Sequence, residues 1–170
     1  MRFIDTSVRL AIALVALSTT STTFAADLLP EPRYSNLQPS GTYAALSQNG
    51  SGNQASLEQS GLRQQLIQSQ SGYGNVTAIQ QSGAYNAATA QQLGVGNTLS
   101  LEQAGRYNQA AMVQAGTANQ ADIVQSGAYN QAYVGQYGQG NQATVNQSGL
   151  SGTVSVQQYG NQMNSTVNQR

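Results

Sequence analysis

The chain has 170 residues, balances six basic against six acidic side chains, and contains no Cys, His, Lys or Trp. Disulfides, thiolate or imidazole catalysis and zinc-finger spacing are thereby excluded, and so sparse a basic content argues against nucleic-acid binding. Gln and Asn together make up nearly a quarter of the chain, and Gly is abundant as well, a composition that leans toward β-rich assembly rather than charge-driven disorder.

In chain order, residues 1–25 read as a secretory signal peptide. Arg2 and Arg9 form a basic start, Leu10 to Leu17 an apolar run, and small residues surround Ala25 and Ala26, the layout of a cleavable export signal. That run is far shorter than the roughly 20 residues a spanning helix needs. Residues 26–41 hold all three prolines, Pro30, Pro32 and Pro39. Proline lacks an amide donor and favours extended chain, so this segment is expected to be a flexible leader, a spacer or a secretion-targeting address.

From Thr42 onward the sequence divides into consecutive eleven-residue units without a gap. The twelve units begin at Thr42, Asn53, Gln64, Asn75, Asn86, Asn97, Asn108, Asn119, Asn130, Asn141, Gly152 and Met163. The seventh position is always Gln: Gln48, Gln59, Gln70, Gln81, Gln92, Gln103, Gln114, Gln125, Gln136, Gln147, Gln158 and Gln169. The ninth is always Gly: Gly50, Gly61, Gly72, Gly83, Gly94, Gly105, Gly116, Gly127, Gly138, Gly149 and Gly160. At the eleventh position Gly52, Gly74, Gly96 and Gly140 alternate with Tyr85, Tyr107 and Tyr129, so the structural unit is a pair of similar halves, twice the length of the basic repeat. Such periods signal a solenoid or array.

Each half is expected to be a strand over positions one to seven and a four-residue turn, such as Ser82-Gly83-Ala84-Tyr85. Side chains alternate along a strand, so the first, third, fifth and seventh positions face inward together. A helix of eleven-residue period is countered by a Gly in each of the eleven full units and β-branched residues at the fifth position. The predicted fold is an all-β, two-stranded β-solenoid (β-helix) of about six coils over 42–170, each coil two units long and rising roughly 4.8 Å. Stacking in register turns the buried amides of Gln and Asn into ladders, each side chain donating to one neighbour and accepting from the other. An unpaired amide there would cost about 1–3 kcal/mol. The first-position members are Asn53, Asn75, Asn86, Asn97, Asn108, Asn119, Asn130 and Asn141. With no capping element read at either end, the edges are expected to template another copy.

A unit such as NQASLEQSG (53–61), with Asn first, Gln seventh and Gly ninth, resembles the curlin repeat of bacterial curli subunits, and the resemblance spans essentially all of 42–170. It implies a secreted amyloid fibre subunit on the outer surface of a Gram-negative-type bacterium, serving adhesion and biofilm matrix. It also implies self-assembly with other curlin subunits, and a leader recognised by the outer-membrane curli secretion pore and its accessory factors. The last two units lose the first Asn to Gly152 and Met163 and close on Gln169-Arg170. That ending is similar to minor curlin, the nucleating subunit, with 152–170 the segment for attachment or nucleation; the major fibre subunit and simple repeat decay are the alternatives.

Glu58, Glu102 and Asp122 fall at outward positions, either as gatekeepers that slow growth through like-charge repulsion or as ordinary solvated residues. Tyr85, Tyr107 and Tyr129 are expected to stack at the turns. Without His to activate a hydroxyl or converging carboxylates, no enzyme, cofactor or metal is expected. A monomeric secreted β-solenoid that binds ice or glycan is the competing class, weakened by varied outward residues.

Overall fold

The computed structural model describes residues 8–10 and 41–170. The expected signal peptide and leader lie outside the described residues, apart from the short strand β1 (Val8–Leu10) and Gly41. The remaining strands are β2 (Tyr43–Ser51), β3 (Gln54–Leu62), β4 (Gln65–Tyr73), β5 (Val76–Ala84), β6 (Ala87–Val95), β7 (Thr98–Arg106), β8 (Gln109–Thr117), β9 (Gln120–Ala128), β10 (Gln131–Gln139), β11 (Gln142–Leu150), β12 (Thr153–Asn161) and β13 (Asn164–Gln169). There is no helix among the described residues.

Odd and even strands separate into two sheets. One runs β1-β3-β5-β7-β9-β11-β13 and the other β12-β10-β8-β6-β4-β2. From β2 on, every pairing is parallel and joins residues two units apart, as in Gln59↔Gln81 or Gln114↔Gln136. A pair such as β2 and β3 is thus one coil, and six coils stack, as the doubled period predicts. β1 lies antiparallel along β3, with Val8 opposite Gln59 and Leu10 opposite Leu57.

The core is a narrow slab between the sheets. The third positions give mainly Ala, such as Ala55, Ala88, Ala110, Ala121, Ala132 and Ala143. The fifth give larger residues, including Leu57, Ile79, Leu101, Met112, Ile123, Val134 and Val145. Small facing large lets the sheets interdigitate.

The turns differ from expectation. Each full strand is nine residues long and includes the Ser-Gly of the expected turn, so only positions eleven and one lie outside it. The ninth-position Gly is therefore required by close approach as much as by turning. A Cβ on Gly83 would lie 2.0 Å from the carbonyl oxygen of Gly105, and the same overlap recurs at each inner coil. Position eleven carries the reversal, and it does so in left-handed conformation whether or not it is Gly. Tyr85, Tyr107 and Tyr129 have φ of 59°, 58° and 61°, against 64° at Gly74. Left-handed backbone costs a non-Gly residue roughly 1–2 kcal/mol. Ring stacking offsets it, with centres 4.8 and 4.9 Å apart and planes within 9° of parallel; the Tyr85 amide donates to the Leu62 carbonyl of the preceding coil at 2.9 Å, as the Gly74 amide does to Ser51 at 3.0 Å. Arg63 closes that column, its guanidinium 5.6 Å from the centre of the Tyr85 ring.

Candidate functional site

The chemistry of this chain lies in its amide columns. In one sheet, Gln59 Nε2 donates to Gln81 Oε1, and the bond repeats through Gln103, Gln125, Gln147 and Gln169 at 2.6–3.0 Å. In the other it runs from Gln48 through Gln70, Gln92, Gln114 and Gln136 to Gln158 at 2.6–2.8 Å. Every bond points the same way, the earlier coil donating to the later. Most of these amides also tie the two sheets together, as where Gln114 Nε2 donates to the Thr98 carbonyl at 2.9 Å. The columns are buried between their ends; Gln48 is exposed and Gln169 half-buried.

The Asn columns do something different, and in the opposite sense. Asn97 Oδ1 accepts the backbone N–H of Asn119 at 3.1 Å, and Asn119 Nδ2 donates to the same oxygen. Asn97 Nδ2 meanwhile donates to two backbone carbonyls, Leu93 in its own coil and Gly116 in the next. Asn53, Asn75, Asn119 and Asn141 likewise reach a Gly carbonyl of the next coil, in the sheet opposite the strand that each precedes. Asn86, Asn108 and Asn130 bind Gly105, Gly127 and Gly149 on the following strand of their own coil, and Asn86 and Asn108 Oδ1 accept the backbone N–H of Asn108 and Asn130 in the next. Asn is thus a staple between coil backbones rather than only a rung. Its short side chain suits that task, because the amide must reach the backbone beside it; Gln in the seventh position can span to its neighbour.

Coil 2, residues 64–85, departs from this order. Gln64 stands where coils 3 to 5 have Asn. Its Nε2 reaches the Ser60 and Gly83 carbonyls, but its Oε1 has no hydrogen-bond partner. Gln68 occupies the apolar fifth position, is 1% exposed, and leaves both amide atoms unpartnered. Thr77, in the third position, is buried but satisfied: its hydroxyl donates to Gln92 Oε1 at 2.7 Å and accepts from Gln70 Nε2 at 3.1 Å. The break that Gln68 makes in an apolar column is a signal the sequence carries, though the repeat analysis above passed over it.

The acidic residues do not come together. Glu58 and Glu102 share an outward column, but Gln80 stands between them. Asp122 belongs to another column, between Ser100 and Thr144. No acid stacks on another among the described residues, so the direct like-charge contact expected of gatekeepers is absent there.

At the last coil the Gln columns persist and the Asn columns stop. Gly152 N and Met163 N still donate inward to Asn130 Oδ1 and Asn141 Oδ1, both at 3.0 Å, but neither residue has an amide to offer onward. Gly149 and Gly160 keep φ at 105° and 135°, yet the carbonyl that crowds the ninth-position Gly of the earlier strands is replaced by Arg170 C and Met163 Sδ, each at 3.7 Å.

Parallel strands, a two-strand coil and continuous internal amide columns define a β-solenoid of the amyloid-like kind, in which coil stacks on coil as strand on strand in a fibril. The family model for the curlin associated repeat matches residues 116–149, from the end of β8 through most of β11, and the same spacing extends through the array. The matched segment is similar to the curlin associated repeat, and the units around it share its spacing. No curated protein and no solved structure matches it.

Proposed function

We propose that this chain is a secreted subunit of extracellular curli-type fibres for adhesion and biofilm matrix, and that it acts as the minor, nucleating subunit. The observation that carries the fibre reading is the equivalence of edge and interior. β2 at one end and β12 and β13 at the other present the same backbone and Gln groups that join coils within the chain. Gln158 and Gln169 of one copy align with Gln48 and Gln59 of the next, so addition prolongs the existing columns. Export as residues 26–170, with 1–25 removed, would also free the β3 edge now beside β1. Leader recognition by an outer-membrane secretion pore and its accessory factors belongs to the same reading.

The nucleator reading is supported by the last coil. A joint between two copies of this chain keeps both Gln bonds but lacks Asn oxygens at positions 152 and 163. Such a joint is weaker than any internal one, which suits a subunit that starts fibres of a partner curlin better than one that repeats indefinitely. Gatekeeping by Glu58 and Glu102 would act across an intervening coil, and Asp122 would act diagonally on Glu102 from the adjacent strand.

The test is assembly from denaturant, followed by thioflavin fluorescence and fibre diffraction. Reflections at the two cross-β spacings, ~4.7 Å between strands and ~10 Å between sheets, are the expected product. A persistently monomeric folded chain would move the search to a binding module. Met163→Asn restores one staple and should speed self-elongation. An unchanged rate in that variant, with no shortening of a major subunit's lag by wild type, would favour the major-subunit reading.

A further inference from the structure

The two outer faces of the solenoid differ in one respect that the eleven-residue period conceals. Every charged residue of the repeats lies in the odd-strand half: Glu58, Arg63, Glu102, Arg106, Asp122 and Arg170. The half built on β2, β4, β6, β8, β10 and β12 contains none. Its outward fourth-position column is Ala45, Ile67, Thr89, Ala111, Tyr133 and Ser155. At the outward second, fourth, sixth and eighth positions, Tyr43, Ile67, Leu93 and Tyr159 are large and exposed on this face, against Val76 alone on the other.

Two of its bulkiest side chains lie down rather than stand up. Gly135 is buried beneath Tyr133 and Tyr137, whose ring atoms come within 3.3–3.5 Å of the position a Cβ would take. Tyr137 stacks on Tyr159 with ring centres 4.9 Å apart and planes 4° from parallel. A shallow groove lined by Thr89, Ala111, Tyr133 and Ser155 runs beside them.

We propose that the even-strand face is a lateral interface, against which the same face of a second copy packs to pair two filaments side by side. The proposal rests on the fibre reading for its filaments, though the face itself does not require them. Two such faces can meet and dry without burying a charge, whereas desolvating the ions of the odd-strand face would cost several kcal/mol per ion. The area suffices. Six strands of nine residues cover about 30 by 29 Å, roughly 870 Å², close to the ~800 Å² per partner of a stable interface. In a filament that strip continues without a gap, and its small residues let two sheets approach to the usual ~10 Å.

Thr89 and Ser100 are matched probes, both exposed and both in the fourth position of adjacent units. Filaments of wild type, Thr89→Lys, Thr89→Glu and Ser100→Lys would be compared by mass per unit length in electron microscopy. Fibre diffraction would verify that each keeps the cross-β spacing. Wild type and Ser100→Lys are expected to form pairs or higher bundles; both Thr89 variants should give single filaments, a twofold or greater drop in mass per length. Single filaments in wild type, undiminished pairing in both Thr89 variants, or an equal loss in Ser100→Lys would each overturn the proposal. Were wild type not to polymerise, the fibre reading would fail instead. Sedimentation of the folded solenoid would then decide the face separately: a dimer lost in Thr89→Lys and kept in Ser100→Lys supports it, and a monomer in both sinks it.

Discussion

Coil 2 and the coils that follow it share a backbone and differ in their interior. In coils 3 to 5 every buried Gln and Asn amide has a partner, and the fifth positions are apolar. In coil 2 the same stack must accommodate Gln64, Gln68 and Thr77. Thr77 succeeds because a hydroxyl can both donate and accept, and two ladder glutamines lie within reach. Gln68 fails because its column neighbours, Leu46 and Ala90, offer nothing to bond. A polar residue is therefore stabilising inside this solenoid only where the coils above and below can answer it. The amide's identity matters less than its place in a column.

The largest effect should come from removing what all coils have in common. Gly105→Ala places a Cβ 1.9 Å from the Gly127 carbonyl oxygen, and the overlap plus backbone strain should cost about 3 kcal/mol or more. Gly74→Ala, at φ 64° with open space around it, should cost only ~1 kcal/mol. Denaturant midpoints of the two variants test the contrast; equal losses would mean that conformation, not close approach, sets the Gly requirement.

The contrast between coils is sharpened by making one substitution in both. Gln103→Leu removes the acceptor of one Gln81 N–H and the donor to the Gln125 carbonyl and should destabilise by about 3 kcal/mol. Gln68→Leu removes two atoms that have no partner and should stabilise by about 2 kcal/mol. Opposite shifts in midpoint are expected; a loss at both sites would show that coil 2 satisfies Gln68 after all. Smaller again is Tyr107→Ala, which interrupts the aromatic column and should cost about 1 kcal/mol, read as faster amide exchange at the turns.

The smallest effect is a dependence on alkaline pH. Burial first, then the hydrogen bond and charge of Tyr133, raise the Tyr137 phenol above its ordinary value of 10.0. The folded chain then holds that proton more tightly than the unfolded one. Its contribution is complete below about pH 10 and is lost as pH rises through the folded value. A titration of stability should show a shallower alkaline fall in Tyr137→Phe than in wild type.

Much of this architecture is legible in the sequence. The repeat and its doubling lead directly to parallel strands, six coils and inward columns, because stacking in register is the arrangement that satisfies a Gln at every seventh position. Strand length is not legible: Gly and Ser signal a turn by propensity, and only the contact between Gly83 and Gly105 explains a Gly inside a strand. Nor is the use of left-handed backbone by Tyr85, Tyr107 and Tyr129, which propensity disfavours and stacking offsets. The direction of each ladder depends on side-chain length, and three-dimensional reach decides it. The segregation of charge is present in alternate units, hidden when the halves are treated as equivalent.

The opposed sense of the two kinds of column has a further consequence. Gln carbonyls along the stack point back toward the first coil, since each accepts from the coil before it. Asn carbonyls point forward, since each accepts from the coil after it. In coils 3 to 5 each coil contributes two side-chain carbonyls of either sense, and they oppose one another along the axis. A longer stack of such coils would otherwise accumulate an ever larger electrical moment; coils 3 to 5 instead offset theirs within each coil.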